Sequence, residues 1–194
     1  MLKEMGAGMQ KKMGEILKFL PLNPNQITTI ALILAIAGAY YTYEKDIFGP
    51  ILIFIAFFLD VLDGAVARAR GEATKFGAYL DGINDRLVEF FALLPLFFDS
   101  MLMVPALLIL FFGTCMHSFS KAYASHRKVM GVGAAAGIKS VMARAERVAG
   151  ILIVLVLFVV GHIVWAYYLI WVIAIISILA FILLQFRVYG KVRG

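Results

Sequence analysis

The sequence predicts an all-α integral membrane protein, with six transmembrane helices preceded by an amphipathic juxtamembrane helix. Three observations lead there. Of the 194 residues, 63% are hydrophobic and only 15% charged, whereas soluble domains carry about 25% charged residues. The apolar residues come in long runs, at 27–43, 47–59, 87–98, 101–116 and 148–184, and a helical span needs about 20 residues. The basic residues, finally, gather on what would be one side of the membrane.

The elements follow in order. Leu2, Met5, Met9, Met13, Ile16, Leu17 and Leu20 recur at helical spacing with lysines between them, which is the pattern of a helix lying in the membrane interface over residues 1–22. Gly6, Gly8 and Gly14 weaken it. No cleavable leader is expected, because Gly6, Lys11 and Lys12 interrupt the start before a long apolar core forms. Asn23-Pro24 reads as a helix cap followed by proline at the first helical position, opening a first span that runs to Tyr43. Residues 44–46 make an outer turn.

The second span must run from Ile47 to about Ala67, since residues 47–59 alone are too short to cross. Asp60 and Asp63 therefore lie inside its last two turns. Residues 70–75 form an inner loop and 76–98 a third span. Asp99-Ser100 turns the chain into a fourth span that ends near Ser120. An inner segment over 121–147 carries the loop MGVGAAAG. The run 148–184 is too long for one span and divides near Gly161-His162, with Trp165, Tyr167 and Tyr168 at an interface. Residues 23–194 are expected to form a single six-helix catalytic domain; no internal repeat is evident.

With both termini cytoplasmic, the inner face receives Lys3, Lys11, Lys12, Lys18, Arg68, Arg70, Lys75, the group from Lys121 to Arg147, and Arg187, Lys191 and Arg193. Arg86 lies within a span, and only Lys45 falls outside. This is the positive-inside distribution. The net charge of +6 then belongs to the inner face, where it suits anionic lipid and phosphate partners and gives no reason to expect nucleic acid.

The acids carry the chemistry. Asp60, Asp63, Gly64, Ala67 and Arg68 are spaced i, i+3, i+4, i+7, i+8, so they share one helix face; Gly77, Asp81 and Asp85, at i, i+4, i+8, share a face of the next helix. A short inner loop makes the two helices antiparallel. From Arg68 to Asp60, and from Gly77 to Asp85, the chain descends about 12 Å at 1.5 Å per residue. The acidic faces can therefore meet at matching depth below the inner surface, with Gly64 and Gly77 leaving room near the mouth. Four carboxylates so placed would repel one another unless cations bridged them. All-oxygen ligands favour hard ions such as Mg²⁺, Mn²⁺ or Ca²⁺, and metals beside a cytoplasmic opening point to phosphoryl chemistry. Arg68 and Arg86 are too few to neutralise four acids and Glu89 as simple ion pairs.

The pattern D-x-x-D-G-x-x-A-R-x8-G-x3-D-x3-D, here Asp60, Asp63, Gly64, Ala67, Arg68, Gly77, Asp81 and Asp85, resembles the signature of the CDP-alcohol phosphotransferases, also called CDP-alcohol phosphatidyltransferases. Average residue usage makes such an eight-position match a chance event of about 10⁻¹⁰ per start. The resemblance implies a phospholipid-synthesis enzyme that attacks the lipid-side phosphate of a CDP-linked donor with an acceptor hydroxyl and releases CMP. It implies Asp60, Asp63 and Asp81 as ligands of Mg²⁺ or Mn²⁺, in two sites, with Asp85 both touching a metal and taking the hydroxyl proton. Asp60, Asp63, Gly64, Ala67, Arg68 and Gly77 would line the CDP site, Arg68 meeting phosphate. A homodimer is expected from the family. Asn25 and Thr28, at the start of the first span, resemble a further family feature near the nucleotide phosphates; capping and packing explain them equally well.

Lys121, Arg144, Arg147 and Arg187 lie near the inner ends of the later spans. The positive-inside rule accounts for such charges singly; together they could form a second basic pocket for an acceptor that carries its own phosphate. The stretches SFSKAYASH and MARAERV resemble the corresponding part of phosphatidylinositol-phosphate synthases and their archaeal-lipid counterparts. That resemblance implies inositol 1-phosphate as acceptor and CDP-diacylglycerol or CDP-archaeol as donor. This chain has Ala122-Tyr123-Ala124-Ser125 where those enzymes commonly show arginine-alanine-glutamate. Glycerol 3-phosphate as acceptor, or CDP-inositol as donor, are the alternatives.

The remaining features are quieter. His117, His126 and His162 show no ligand spacing, and MGVGAAAG lacks the preceding strand and the Gly-Lys-Ser/Thr ending of a phosphate loop. The single cysteine, Cys115, excludes an intrachain disulfide and is expected to be a small buried side chain. Intramembrane acids also occur in transporters, but here they cluster at one end of two helices, and no inverted repeat accompanies them.

Overall fold

The computed structural model describes residues 22–193 apart from 139. The interfacial helix expected over 1–22 lies outside the described residues, except for Leu22. All described regular elements are helical. They are α1 (Pro24–Tyr43), α2 (Phe48–Arg70), α3 (Lys75–Leu93, continued by a 3₁₀ turn over Leu94–Phe98), α4 (Met103–His126), α5 (Val132–Ala136), α6 (Arg144–Val159) and α7 (Ile163–Arg193).

Four helices are long and apolar enough to cross a membrane: Pro24–Tyr43, Phe48–Arg70, Met103–His126 and Ile163–Gly190. Helices also stand where the third and fifth spans were expected. However, α3 carries Asp81, Asp85, Arg86 and Glu89, and α6 has 16 residues, so a count of six spans does not follow from length and composition. The chain divides into two compact units, residues 1–92 and 93–194.

In the first unit, α1 and α2 pack along stripes of small residues. Thr28, Ala31, Ala35, Gly38 and Thr42 are among the buried residues of α1, and Gly49, Ile53, Ala56, Asp60 and Asp63 among those of α2. Both sets repeat every three or four residues, so each forms one line along its helix. A Cβ on Gly38 would fall 2.7 Å from Ile53 Cγ1, and one on Gly49 would strike the Thr42 backbone. Small residues thus let the two backbones approach, the means by which helices associate in lipid. Paired residues count down one helix as they count up the other, and this register carries Thr28 to Asp63.

Helix α2 ends at Gly71, in the left-handed region at φ 69°, where glycine avoids the Cβ penalty. Arg70 Nη1 donates to the carbonyl of Leu22 at 2.7 Å, tying the segment before α1 to the end of α2. At the head of α1, Gln26 Oε1 accepts from the Asn23 backbone N–H at 2.9 Å, as in a capping box.

In the second unit, α4 is π-helical over Ile109–Met116. Ile109, Gly113 and Thr114 take the inward positions in this stretch, and Cys115 lies on the exposed surface. The expectation of a buried cysteine is thereby corrected: the wide turn puts its neighbours inside. MGVGAAAG contains a short helix, α5, where a loop was expected; its alanine run favours helix. The turn between α6 and α7 falls at Gly161 (φ 88°) as expected, and Trp165 and Tyr168 are exposed just beyond it.

Candidate active site

The end of the first unit where α2 gives way to α3 gathers the acids. Ligand oxygens of Asp60, Asp63 and Asp81 all lie within 4.8 Å of one another. Asp60 and Asp63 are buried, because they continue the stripe of α2 that packs on α1; Asp81 is half-buried on α3. Three acid side chains at this separation supply an all-oxygen donor set suited to a hard divalent cation. The residues present therefore fit a metal.

Neighbouring groups hold these carboxylates. Thr28 Oγ1 lies 2.5 Å from Asp63 Oδ2 and 3.1 Å from the carbonyl of Pro24. One hydroxyl proton serves one acceptor at a time, and the charged oxygen is the nearer and stronger. Asp63 Oδ1 accepts from the Gly64 backbone N–H. Asn84 Nδ2 donates to Asp60 Oδ1 at 2.9 Å. The sequence reading passes over Asn84. Its position three residues after Asp81 on the same helix was the available signal.

Asp85 is not one of these three acids. Its Oδ2 is 3.1 Å from Arg86 Nη1, and Arg86 also donates to the carbonyl of Gly82 at 2.6 Å.

Beside the trio is a cavity of about 310 Å³, lined by residues of α1, the end of α2, the loop after it and the start of α3. Asn25, Thr28, Asp63, Gly64, Ala67, Arg68, Gly77 and Asp81 all line it. Of the residues expected around a CDP donor, only Asp60 does not. Absent side chains make the space: a Cβ on Gly64 would sit 3.2 Å from Arg68 Nη1, and one on Gly77 3.1 Å from Thr74 Oγ1. Thr74 Oγ1 in turn accepts the Gly77 N–H at 2.9 Å, capping α3.

The basic residues expected around an acceptor belong to the second unit. Lys121 Nζ donates to the carbonyl of Ile138 at 3.2 Å. Arg147 is buried, and its Cδ would lie 3.1 Å from a Cβ on Gly113. Arg144 is half-buried and Arg187 exposed.

Residues 22–179 match the family model described as CDP-alcohol phosphatidyltransferase. The chain belongs to that family. Among curated relatives, an archaetidylinositol phosphate synthase of Pyrococcus horikoshii is 32% identical over 115 residues, covering 59% of this chain and 61% of that protein. A phosphatidylinositol phosphate synthase of Mycobacterium marinum is 39% identical over 70 residues, 35% of this chain and 30% of that one. The matched stretch thus spans less than two thirds of either relative. The fold is that of the Mycobacterium tuberculosis phosphatidylinositol phosphate synthase solved with CDP-DAG bound: TM-score 0.75, 23% identity, 93% of each chain covered. The same enzyme has been solved with manganese and citrate, at TM-score 0.76, with 93% of this chain and 88% of that one covered. The chain thus combines membership of the CDP-alcohol phosphatidyltransferase family with four helices long and apolar enough to cross a membrane.

Proposed function

We propose that the protein transfers a substituted phosphate group from a CDP-linked lipid, CDP-diacylglycerol or CDP-archaeol, to a hydroxyl of inositol 1-phosphate, releasing CMP. The observation that carries this reading is the cavity beside Asp60, Asp63 and Asp81, which six of the eight motif residues line: Asp63, Gly64, Ala67, Arg68, Gly77 and Asp81. The names of the relatives supply the acceptor and lipid classes, and the CDP-DAG and manganese complexes of the structural neighbour support donor and cation.

Asp60, Asp63 and Asp81 hold Mg²⁺ or Mn²⁺, with Asp85 contributing toward a second ion. Bound there, the cations offset charge on the phosphates as it develops. Asn25, Thr28 and the N-terminal end of α1 face the diphosphate, where helix N–H groups and the dipole favour an anion. Gly64, Ala67 and Gly77 let the cytidine approach the backbone, and Arg68 meets phosphate. Asp85 accepts the acceptor's hydroxyl proton. The new oxygen–phosphorus bond forms on the lipid-side phosphorus as the bond to CMP breaks. Lys121, Arg144, Arg147 and Arg187 receive the phosphate that the acceptor already carries. In this reading residues 23–194 act as one six-span catalytic domain, both termini and the site are cytoplasmic, and the enzyme works as a homodimer.

The test is CMP release by purified protein with Mg²⁺ and a CDP-lipid, offered inositol 1-phosphate, glycerol 3-phosphate, serine or free inositol, with Asp85→Asn as the blank. Activity with inositol 1-phosphate alone is expected. Activity with glycerol 3-phosphate would retain the metal chemistry and remove the acceptor assignment. Turnover only with CDP-inositol in place of CDP-lipid would reassign the donor.

A further inference from the structure

Asn84 carries no role in the motif, yet it is among the most buried polar residues of the first unit. It is 3% exposed, as is the carboxylate partner it meets, Asp60. Asp60 comes from α2 and Asn84 from α3, and the amide nitrogen lies 2.9 Å from Asp60 Oδ1. An ionised carboxylate only accepts hydrogen bonds, so the amide must present its NH₂. At this burial no bulk water stands ready to replace that donor.

We propose that Asn84 is a positioning residue for the metal site, fixing the plane in which Asp60 presents its oxygens to the cation. The inference rests on the reading of Asp60, Asp63 and Asp81 as metal ligands. Three acids within 4.8 Å repel one another, and without a cation each would turn away from its neighbours. Asp63 is restrained by Thr28 Oγ1 and the Gly64 N–H. Asn84 supplies a corresponding restraint on Asp60, from α3.

The chemistry of the donor matters. A lysine or arginine at this position would orient Asp60 too, but its charge would compete with the metal for the same carboxylate. An amide orients without neutralising, so the full negative charge of the trio stays available to the cation. The placement on α3 matters as well. Asp81, Asn84, Val88 and Ala92 form one line on that helix, with Asn84, Val88 and Ala92 buried. The packed stripe that fixes α3 thereby also fixes the donor. Groups that orient metal-bound ligands typically affect metal affinity or activity 10–100-fold.

The experiment measures Mn²⁺ binding by EPR titration of the detergent-solubilised protein, together with the apparent KM for Mg²⁺ in CMP release. Asn84→Leu removes the donor at similar volume, and Asn84→Ser removes its reach while making few packing demands, so one variant reports if the other does not fold. A thermal melt accompanies each. The expected result is a 10–100-fold weaker Mn²⁺ affinity and a matching rise in Mg²⁺ KM, with kcat recovered at saturating metal. A purely structural role would lower the melting temperature and leave metal affinity unmoved. Mn²⁺ affinity within about twofold of the unaltered protein, in a folded variant, overturns the proposal and leaves the metal site standing. Failure of the unaltered protein itself to bind Mn²⁺ overturns both.

Discussion

Thr28 Oγ1 lies 2.5 Å from Asp63 Oδ2, so a hydroxyl on the first turns of α1 holds a carboxylate on the last turns of α2. This contact joins the helix end that faces the cavity to the acids beside it. Two substitutions separate a contribution of Thr28 to the site from ordinary capping. Thr28→Val keeps the shape and deletes the donor; Thr28→Ser keeps the donor. Loss of the restraint on Asp63 is expected to weaken Mg²⁺ activation about 10–100-fold in the valine variant. The serine variant should stay near the unaltered protein. A Mg²⁺ titration of CMP release checks this, and equal behaviour of the two variants would return Thr28 to packing.

Asp85 and Asp63 should respond differently to loss of charge. Asp85 lies outside the close trio and beside Arg86. Asp85→Asn is therefore expected to lower kcat about 10²–10⁴-fold, the usual worth of a general base, while Mn²⁺ affinity falls less than tenfold. Asp63→Asn should abolish both. EPR titration beside a steady-state assay distinguishes the two patterns.

Gly64 faces Arg68 one helical turn on. A methyl there would lie 3.2 Å from Arg68 Nη1, the far end of a flexible side chain, so the fold should survive Gly64→Ala. The guanidinium must move, however, and the cavity loses volume. The expected outcome is a rise in the KM for CDP-lipid of about tenfold, roughly the 1.4 kcal/mol of one weakened phosphate contact, with the Mg²⁺ dependence unchanged. Substrate titrations read this directly.

Gly113→Ala tests the second unit. The added Cβ would lie 3.0 Å from Ser177 Oγ and 3.1 Å from Arg147 Cδ, atoms close to their backbones or in mid-chain. Overpacking of this kind costs about 1–3 kcal/mol, visible as a lower melting temperature. Displacement of Arg147 should raise the KM for inositol 1-phosphate and leave Mn²⁺ binding intact. An unchanged acceptor KM in the destabilised variant would take Arg147 out of the acceptor's reach.

The positions of the helices were largely legible because their signals are local. The proline after Asn23, the acids' helical spacing and the glycine at 161 each act within one or two turns. The π-helical stretch of α4 was not legible from local spacing; within it Gly113 packs closely against Arg147 and Ser177, residues more than thirty positions away. Cys115 was misplaced for the same reason: which side of a wide turn faces inward is decided by what packs against it.

The active site divides along the same line. Helical periodicity alone put Asp60 with Asp63 on one face and Asp81 with Asp85 on another, and of these Asp60, Asp63 and Asp81 come together. Which oxygens converge is a matter of register between helices, and no spacing within a helix encodes that. The small residues at 31, 35, 38 and 49 set how closely α1 meets α2, and so bring Thr28 to Asp63. The stripe of α3 turns Asn84 toward Asp60 and leaves Asp85 beside Arg86. Residue types and their periods determined the chemistry available to this protein. The tertiary structure decided which groups share it, because hydrogen bonds and cation sites are sensitive to a few tenths of an ångström that only packing across helices sets.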